Sequence, residues 1–112
     1  MATLTVDVPK QLAEKLQPFS RWLAPILELS LLHLETEAAK VASELIAFLA
    51  SNPSEQEVKE VQLSERARQR LKRLMVLNDA SALTPEEQQE LDELEKLEHS
   101  IVMLKMRLTA ST

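Results

Sequence analysis

The sequence of 112 residues contains no glycine, and this absence constrains the fold more than any other feature. Average usage of about 7% would give about eight glycines in a chain of this length. Glycine adopts left-handed backbone conformations without steric cost, so tight two-residue β-hairpins and glycine-rich phosphate loops are not expected without it. We therefore predict an all-α fold.

The strongest helix signal lies between Leu83 and Leu108. Thr84 is a suitable N-cap, Pro85 suits the first helical position, and Glu87 completes a capping box with Thr84. Apolar residues then recur at spacings of three and four, which predicts a helix of about 25 residues with one apolar seam. The seam consists of Leu94, Leu97, Ile101, Leu104 and Leu108.

A second apolar seam alternates spacings of four and three without interruption by proline. Its members are Leu27, Leu31, Leu34, Ala38, Val41, Leu45 and Phe48. This pattern predicts one long helix from Pro25 to Ala50, about 26 residues in length. The alternative is a break near Glu35, because Thr36 could cap a new helix.

A third helix is predicted from Glu65 to Asn78, with Ser64 as its cap. The connection over residues 78–82 is short, so this helix should pack antiparallel against the helix that follows, forming a helical hairpin. Its basic residues, between Arg66 and Arg73, would then face an acidic helix. The preceding residues 54–62 are interpreted as a polar linker or a weak helical turn.

The two helices of this predicted hairpin differ in length, so the segment Ile101–Leu108 extends beyond the shorter one. Its side chains are too apolar to remain in water, and they should dock on the long helix or on a second chain. Together with the uninterrupted seam of the long helix, this overhang predicts self-association, with a homodimer as the expected form.

Residues Thr3–Val8 alternate polar and apolar side chains with a period of two, which is typical of a short strand. No second strand pattern follows, so the segment is either an extended arm or half of an intermolecular ribbon in a dimer. We predict one domain over residues 1–112. It comprises an extended arm at 1–9, N-terminal helices at 10–51, a linker at 52–62 and the helical hairpin at 63–109.

No pattern of a catalytic, metal or cofactor site is found, and we predict that the chain is not an enzyme and holds no cofactor. The two histidines, His33 and His99, belong to no metal-binding motif, and a metal at Glu95 and His99 is a minor alternative to a helix-surface pair. A net charge of −5 disfavours nucleic-acid binding. The sequence shows neither a signal peptide nor a membrane-spanning stretch and has no cysteine, which favours a cytoplasmic location.

The C-terminal part, LSERARQRLKRLMVLNDASALTPEEQQELDELEKLEHSIVMLKMR, resembles a helical hairpin of small bacterial proteins that are frequent in cyanobacteria. The matching positions are Leu63, Ser64, Arg70, Leu71, Asn78, Leu83, Thr84, Glu87, Glu90, Leu91, Leu104 and Lys105. The resemblance implies an antitoxin-like protein that accompanies a nuclease of the PIN-domain or HNH type.

The N-terminus, LTVDVP followed by LAEKL, is similar to the opening of ribbon-helix-helix repressors. This second resemblance implies a dimer whose paired strands would present Thr3, Thr5 and Asp7 to the major groove of DNA.

The favoured hypothesis is a protein-interaction module, an antitoxin-like or regulatory partner of another protein, with a nuclease as the candidate partner. A DNA-binding repressor and a structural oligomeric scaffold are the alternatives. The predicted partner-binding surface combines the acidic face of the C-terminal helix with its apolar end. Its residues are Glu86, Asp92, Glu93, Glu95, Ile101, Leu104 and Leu108.

Overall fold

The computed structural model describes residues 2–110, which are helical throughout apart from connecting segments and contain no strand. The α-helices are α1 (Lys10–Leu16), α2 (Leu23–Ser30), α3 (Ala38–Ala50), α4 (Glu55–Glu60), α5 (Glu65–Asp79) and α6 (Pro85–Ala110). A 3-10 helix, Gln17–Trp22, joins α1 to α2. The prediction of an all-α fold is confirmed. No helix of the described residues is long and apolar enough to cross a membrane.

Three helices begin with side-chain caps that are visible in the sequence. At α6, the Glu87 N–H donates to the Thr84 hydroxyl at 3.1 Å, and the Thr84 N–H donates to the Glu87 carboxylate at 3.0 Å. At α5, the Ser64 hydroxyl accepts from the Ala67 N–H at 3.2 Å. These predicted caps are confirmed. A further capping box at Ser54 starts α4. This helix lies within residues 54–62, which the sequence predicted to be either a polar linker or a weak helical turn.

Three helices are followed by a left-handed residue, directly after the C-cap of α3 and of α5, where glycine is common, and three residues beyond the end of α2. The residues are His33 after α2 (φ 53°), Asn52 after α3 (φ 58°) and Ser81 after α5 (φ 56°). The chain therefore makes left-handed reversals without glycine, at a steric cost that asparagine bears more easily than most residues.

The prediction of one helix from Pro25 to Ala50 is wrong, because the chain leaves helical geometry between Ser30 and Ala38. The alternative break near Thr36 is what the structure shows. The Thr36 hydroxyl accepts from the Ala38 N–H at 3.2 Å, and Ala38 is fully buried. Helices α2 and α3 consequently pack against each other instead of continuing as one rod.

Helix α6 is the central element, since α2, α3, α4 and α5 all contact it. Its first half packs against α5, where the Arg70 guanidinium donates to both oxygens of Glu90 at 2.8 and 3.0 Å. The buried apolar residues form one cluster: Trp22, Leu29, Ala38, Ala42, Leu45, Leu49, Val58, Leu63, Ala67, Leu74, Leu91, Leu94, Leu97, Ile101 and Leu104. Burial of these side chains is the main stabilising contribution.

The N-terminal part is less well buried than the rest. Residues 2–9 have no regular secondary structure, Leu4 is 86% exposed, and α1 contains no buried residue. Trp22 is the first buried residue among those described, and its indole N–H donates to the Pro53 carbonyl at 2.9 Å. The predicted strand is therefore not formed within one chain, and an intermolecular ribbon stays a prediction.

Candidate protein-interaction surface

One face of α6 is exposed along most of the helix. Its residues recur at spacings of three and four, which places them on a single face. We call this face the outer stripe, and it consists of Gln88, Asp92, Glu95, His99, Val102, Met103 and Met106. Because α6 has 26 residues, it is about 39 Å long, and the outer stripe runs along most of that length.

The outer stripe changes from acidic to apolar along its length. Asp92 and Glu95 lie in the first half, and the exposed Glu86 precedes them in the first turn of α6. The second half presents Met103 and Met106, and the exposed fraction of Met106 is 58%. Methionine side chains adapt to partner surfaces of different shapes, and exposed apolar groups gain free energy when a partner covers them.

The expectation that Ile101, Leu104 and Leu108 are exposed on this surface is wrong. Ile101 and Leu104 belong to the buried core, with 6% and 9% exposure, and Leu108 packs against it. They contact the chain's own helices, because α2 and α3 lie beside the second half of α6. Sequence reasoning missed Val102 and Met103, which lie next to the seam and face solvent.

The prediction that Glu93 lies on the exposed acidic face is also wrong, since only 5% of this residue is exposed. Its Oε1 accepts hydrogen bonds from the Glu35 N–H at 3.0 Å, the Thr36 N–H at 2.9 Å and the Thr36 hydroxyl at 2.7 Å. Its Oε2 accepts from the Gln89 side chain at 3.1 Å. Glu93 therefore anchors the α2–α3 connection to α6.

Two opposing effects set the pKa of Glu93. Burial raises it, but the hydrogen bonds from Thr36, Glu35 and Gln89 favour the ionised form and together outweigh burial. The net result is a pKa below the ordinary value for a glutamate. Glu93 is therefore a buried anion whose role is structural.

The remaining candidate residues are exposed side chains. His33 and His99 are both exposed, and the described residues contain no group of three potential ligands that could hold a metal ion. Thr3 and Thr5, the residues of the DNA-binding alternative, are exposed in the irregular N-terminal segment.

Comparison with known proteins identifies no relative from which a function could be transferred. No family model, curated protein or solved structure matches this chain. The outer stripe is therefore interpreted from its own geometry and chemistry.

Proposed function

We propose that this chain is a non-enzymatic protein-interaction module that binds another protein through the outer stripe of α6. The observation that carries the proposal is the exposure of Val102, Met103 and Met106 on one face of a long, well-packed helix. A rigid helix presents such side chains without further ordering of its backbone, which lowers the entropic cost of binding.

The charge of the first half of the stripe favours a partner with a basic surface. Asp92 and Glu95 are exposed there, and opposite charges across an interface increase the rate of association. Proteins that act on nucleic acids carry basic surfaces that contact phosphates. We accordingly propose an antitoxin-like or regulatory role in the cytoplasm, with a nuclease as the partner class.

In this proposal α5 and α6 form a helical hairpin that displays the outer stripe, and residues 1–9 form an arm.

We also propose that the chain forms a homodimer. Leu27 on α2 and Leu31, which directly follows α2, lie four residues apart and are 53% and 68% exposed, so a second chain could cover them. Sedimentation at micromolar concentration should show a dimer that the double change Leu27→Glu and Leu31→Glu converts to monomer. A wild-type monomer under these conditions contradicts the dimer.

Site-specific photo-cross-linking in the native host tests the interaction surface. A photoreactive amino acid replaces Met106, and the matched control places it at the exposed Lys72 on α5. We expect a specific cross-linked protein at position 106 that is absent at position 72, identified by mass spectrometry. In the photoreactive protein, Asp92→Lys with Glu95→Lys should weaken the cross-link, because both changes remove the charge that attracts a basic partner.

Two results contradict the proposal. The first is cross-linking of equal yield at the two positions, which would indicate non-specific proximity. The second is a specific partner whose capture is insensitive to Asp92→Lys with Glu95→Lys and to Met103→Glu. Circular dichroism of each variant shows whether the helical content is unchanged, so that loss of folding is distinguished from loss of binding.

A further inference from the structure

A second surface lies on the other side of α6 from the outer stripe. Helices α3 and α5 both pack on α6 and leave between them an open groove of about 540 Å³, which we call the α3–α5 groove. Val41 on α3 is the partly exposed apolar side chain of its lining, whereas Ala38, Ala67 and Leu94 border the groove but belong to the buried core.

The α5 wall of this groove is basic. Arg66, Arg70 and Arg73 follow at spacings of four and three, so they form one line along the groove. Arg70 is held by its two hydrogen bonds to Glu90. Arg66 and Arg73 are exposed and make no ion pair within the part of the chain that the structure describes. Arg73 lies close enough to Glu87 to help lower the pKa of that carboxyl, but both guanidinium groups remain exposed to an acidic ligand.

The α3 wall carries charge of the opposite sign. Glu37 and Glu44 line it, and Lys40 between them lies 3.8 Å from the Glu37 carboxylate. A nucleic-acid backbone is negatively charged along its whole length, and these glutamates would repel it. The lining therefore favours an occupant that carries different charges on its two sides.

We propose that the α3–α5 groove binds an amphipathic α-helix of a partner protein, with acidic residues facing Arg66 and Arg73 and basic residues facing Glu37 and Glu44. The apolar side of that helix would lie on Val41, the partly exposed apolar side chain of the groove. An amphipathic helix in a groove is a common recognition mode, and charges at its margins determine which helices bind. This surface is separate from the one in the proposed function, because Glu90 and Leu94 lie on the buried side of α6.

The test measures binding of three fluorescent peptides to the full chain by anisotropy. Each peptide has about 18 residues, or five helical turns, with leucines at helical spacing and lysines along one flank. The other flank carries glutamate, glutamine or lysine. We expect affinity to fall in that order at low salt, and the differences to shrink at high salt because screening weakens the ion pairs.

Charge reversal provides the decisive comparison. Arg66→Glu with Arg73→Glu should lower the affinity for the glutamate peptide about tenfold or more and raise the affinity for the lysine peptide. The matched control is Lys72→Glu, an equal charge change per residue on the same helix but outside the groove lining, which should leave the order unchanged. All the altered residues are exposed, and circular dichroism checks that the variants fold.

Three results would overturn this inference. One is the absence of binding by all three peptides, and another is an equal effect of Lys72→Glu and the double variant. The third is tighter binding of a short DNA duplex than of the glutamate peptide, which would assign the basic wall to nucleic acid. None of these results depends on the outer stripe, so the proposed function can fail or succeed separately.

Discussion

The buried carboxylate of Glu93 allows a quantitative prediction about stability. Replacement of Glu93 by glutamine preserves the size of the side chain but removes its charge. The variant should therefore keep the packing of α6 against the α2–α3 connection while weakening the hydrogen bonds that hold this connection. The residues affected are Glu35 and Thr36, whose donors lie 2.7–3.0 Å from Oε1.

The size of the stability loss follows from the number of hydrogen bonds that would no longer have a charged acceptor. A hydrogen bond to a charged group contributes about 1.5–3 kcal/mol, whereas a neutral one contributes about 0.5–1.5 kcal/mol. The three hydrogen bonds to Oε1 would each lose about 1 kcal/mol, so we expect the free energy of unfolding to fall by about 2–3 kcal/mol at neutral pH. This is a substantial share of the roughly 5–15 kcal/mol that stabilises an ordinary domain.

The measurement is denaturant unfolding followed by the fluorescence of Trp22, the only tryptophan, which is 3% exposed in the folded chain. The matched control is Glu95→Gln on the exposed face of the same helix, which should change stability by no more than about 0.5 kcal/mol. Equal effects of the two substitutions at neutral pH would refute the anchoring role of Glu93.

The pH dependence provides an independent check. Because the folded-state pKa of Glu93 is below its ordinary value of 4.5, ionised Glu93 contributes its full stabilisation above that pH. The contribution is lost as the pH falls through the folded-state pKa. The difference between wild type and Glu93→Gln should therefore be constant from neutral pH to about pH 5 and decrease in more acidic solution. A difference that is unchanged by acid would contradict the assignment.

Three further predictions concern the core, a helix end and the N-terminus. Leu94→Ala should lower the free energy of unfolding by about 2–5 kcal/mol, because Leu94 is 2% exposed. The control Glu86→Ala should have little effect, and equal effects of the two changes would contradict the packing. Ser81→Gly should raise stability by about 0.5–1 kcal/mol in the same assay, since relief of the left-handed strain exceeds the added freedom of the unfolded chain; a loss would contradict this. In a DNA-shift titration, binding should be no tighter than about 10⁻⁴ M at physiological salt. Submicromolar, sequence-dependent binding that Thr3→Ala or Thr5→Ala abolishes would instead support the repressor.

The helix starts were predictable because their signals are local. Ser64 and Thr84 each bond within three residues, so the chain segment alone contains both partners. The break between α2 and α3 depends on Glu93, which lies 57 residues after Thr36 in the chain. A seam at spacings of four and three is compatible with one helix or with two. The hydroxyl of Thr36 is a local signal for two helices, and the distant contact with Glu93 stabilises the break.

The candidate surface was only partly predictable for a similar reason. Asp92 and Glu95 are exposed as expected, but Glu93 is buried on the same helix. Between Ile101 and Leu108 six of the eight residues are apolar, so the sequence does not reveal which side faces the core. The position of α2 and α3 determines that Ile101 is buried and Met106 is exposed.

The central position of α6 has a consequence for folding during synthesis. Helices α2, α3, α4 and α5 all contact α6, yet all of them precede it in the chain. Translation at about 5–20 residues per second adds the residues from α2 to the end of α6 over several seconds. During that time the earlier helices have no α6 on which to bury their apolar faces. The nascent chain is therefore most exposed to aggregation and chaperone binding just before α6 leaves the ribosome, and folding should follow its emergence as one cooperative step.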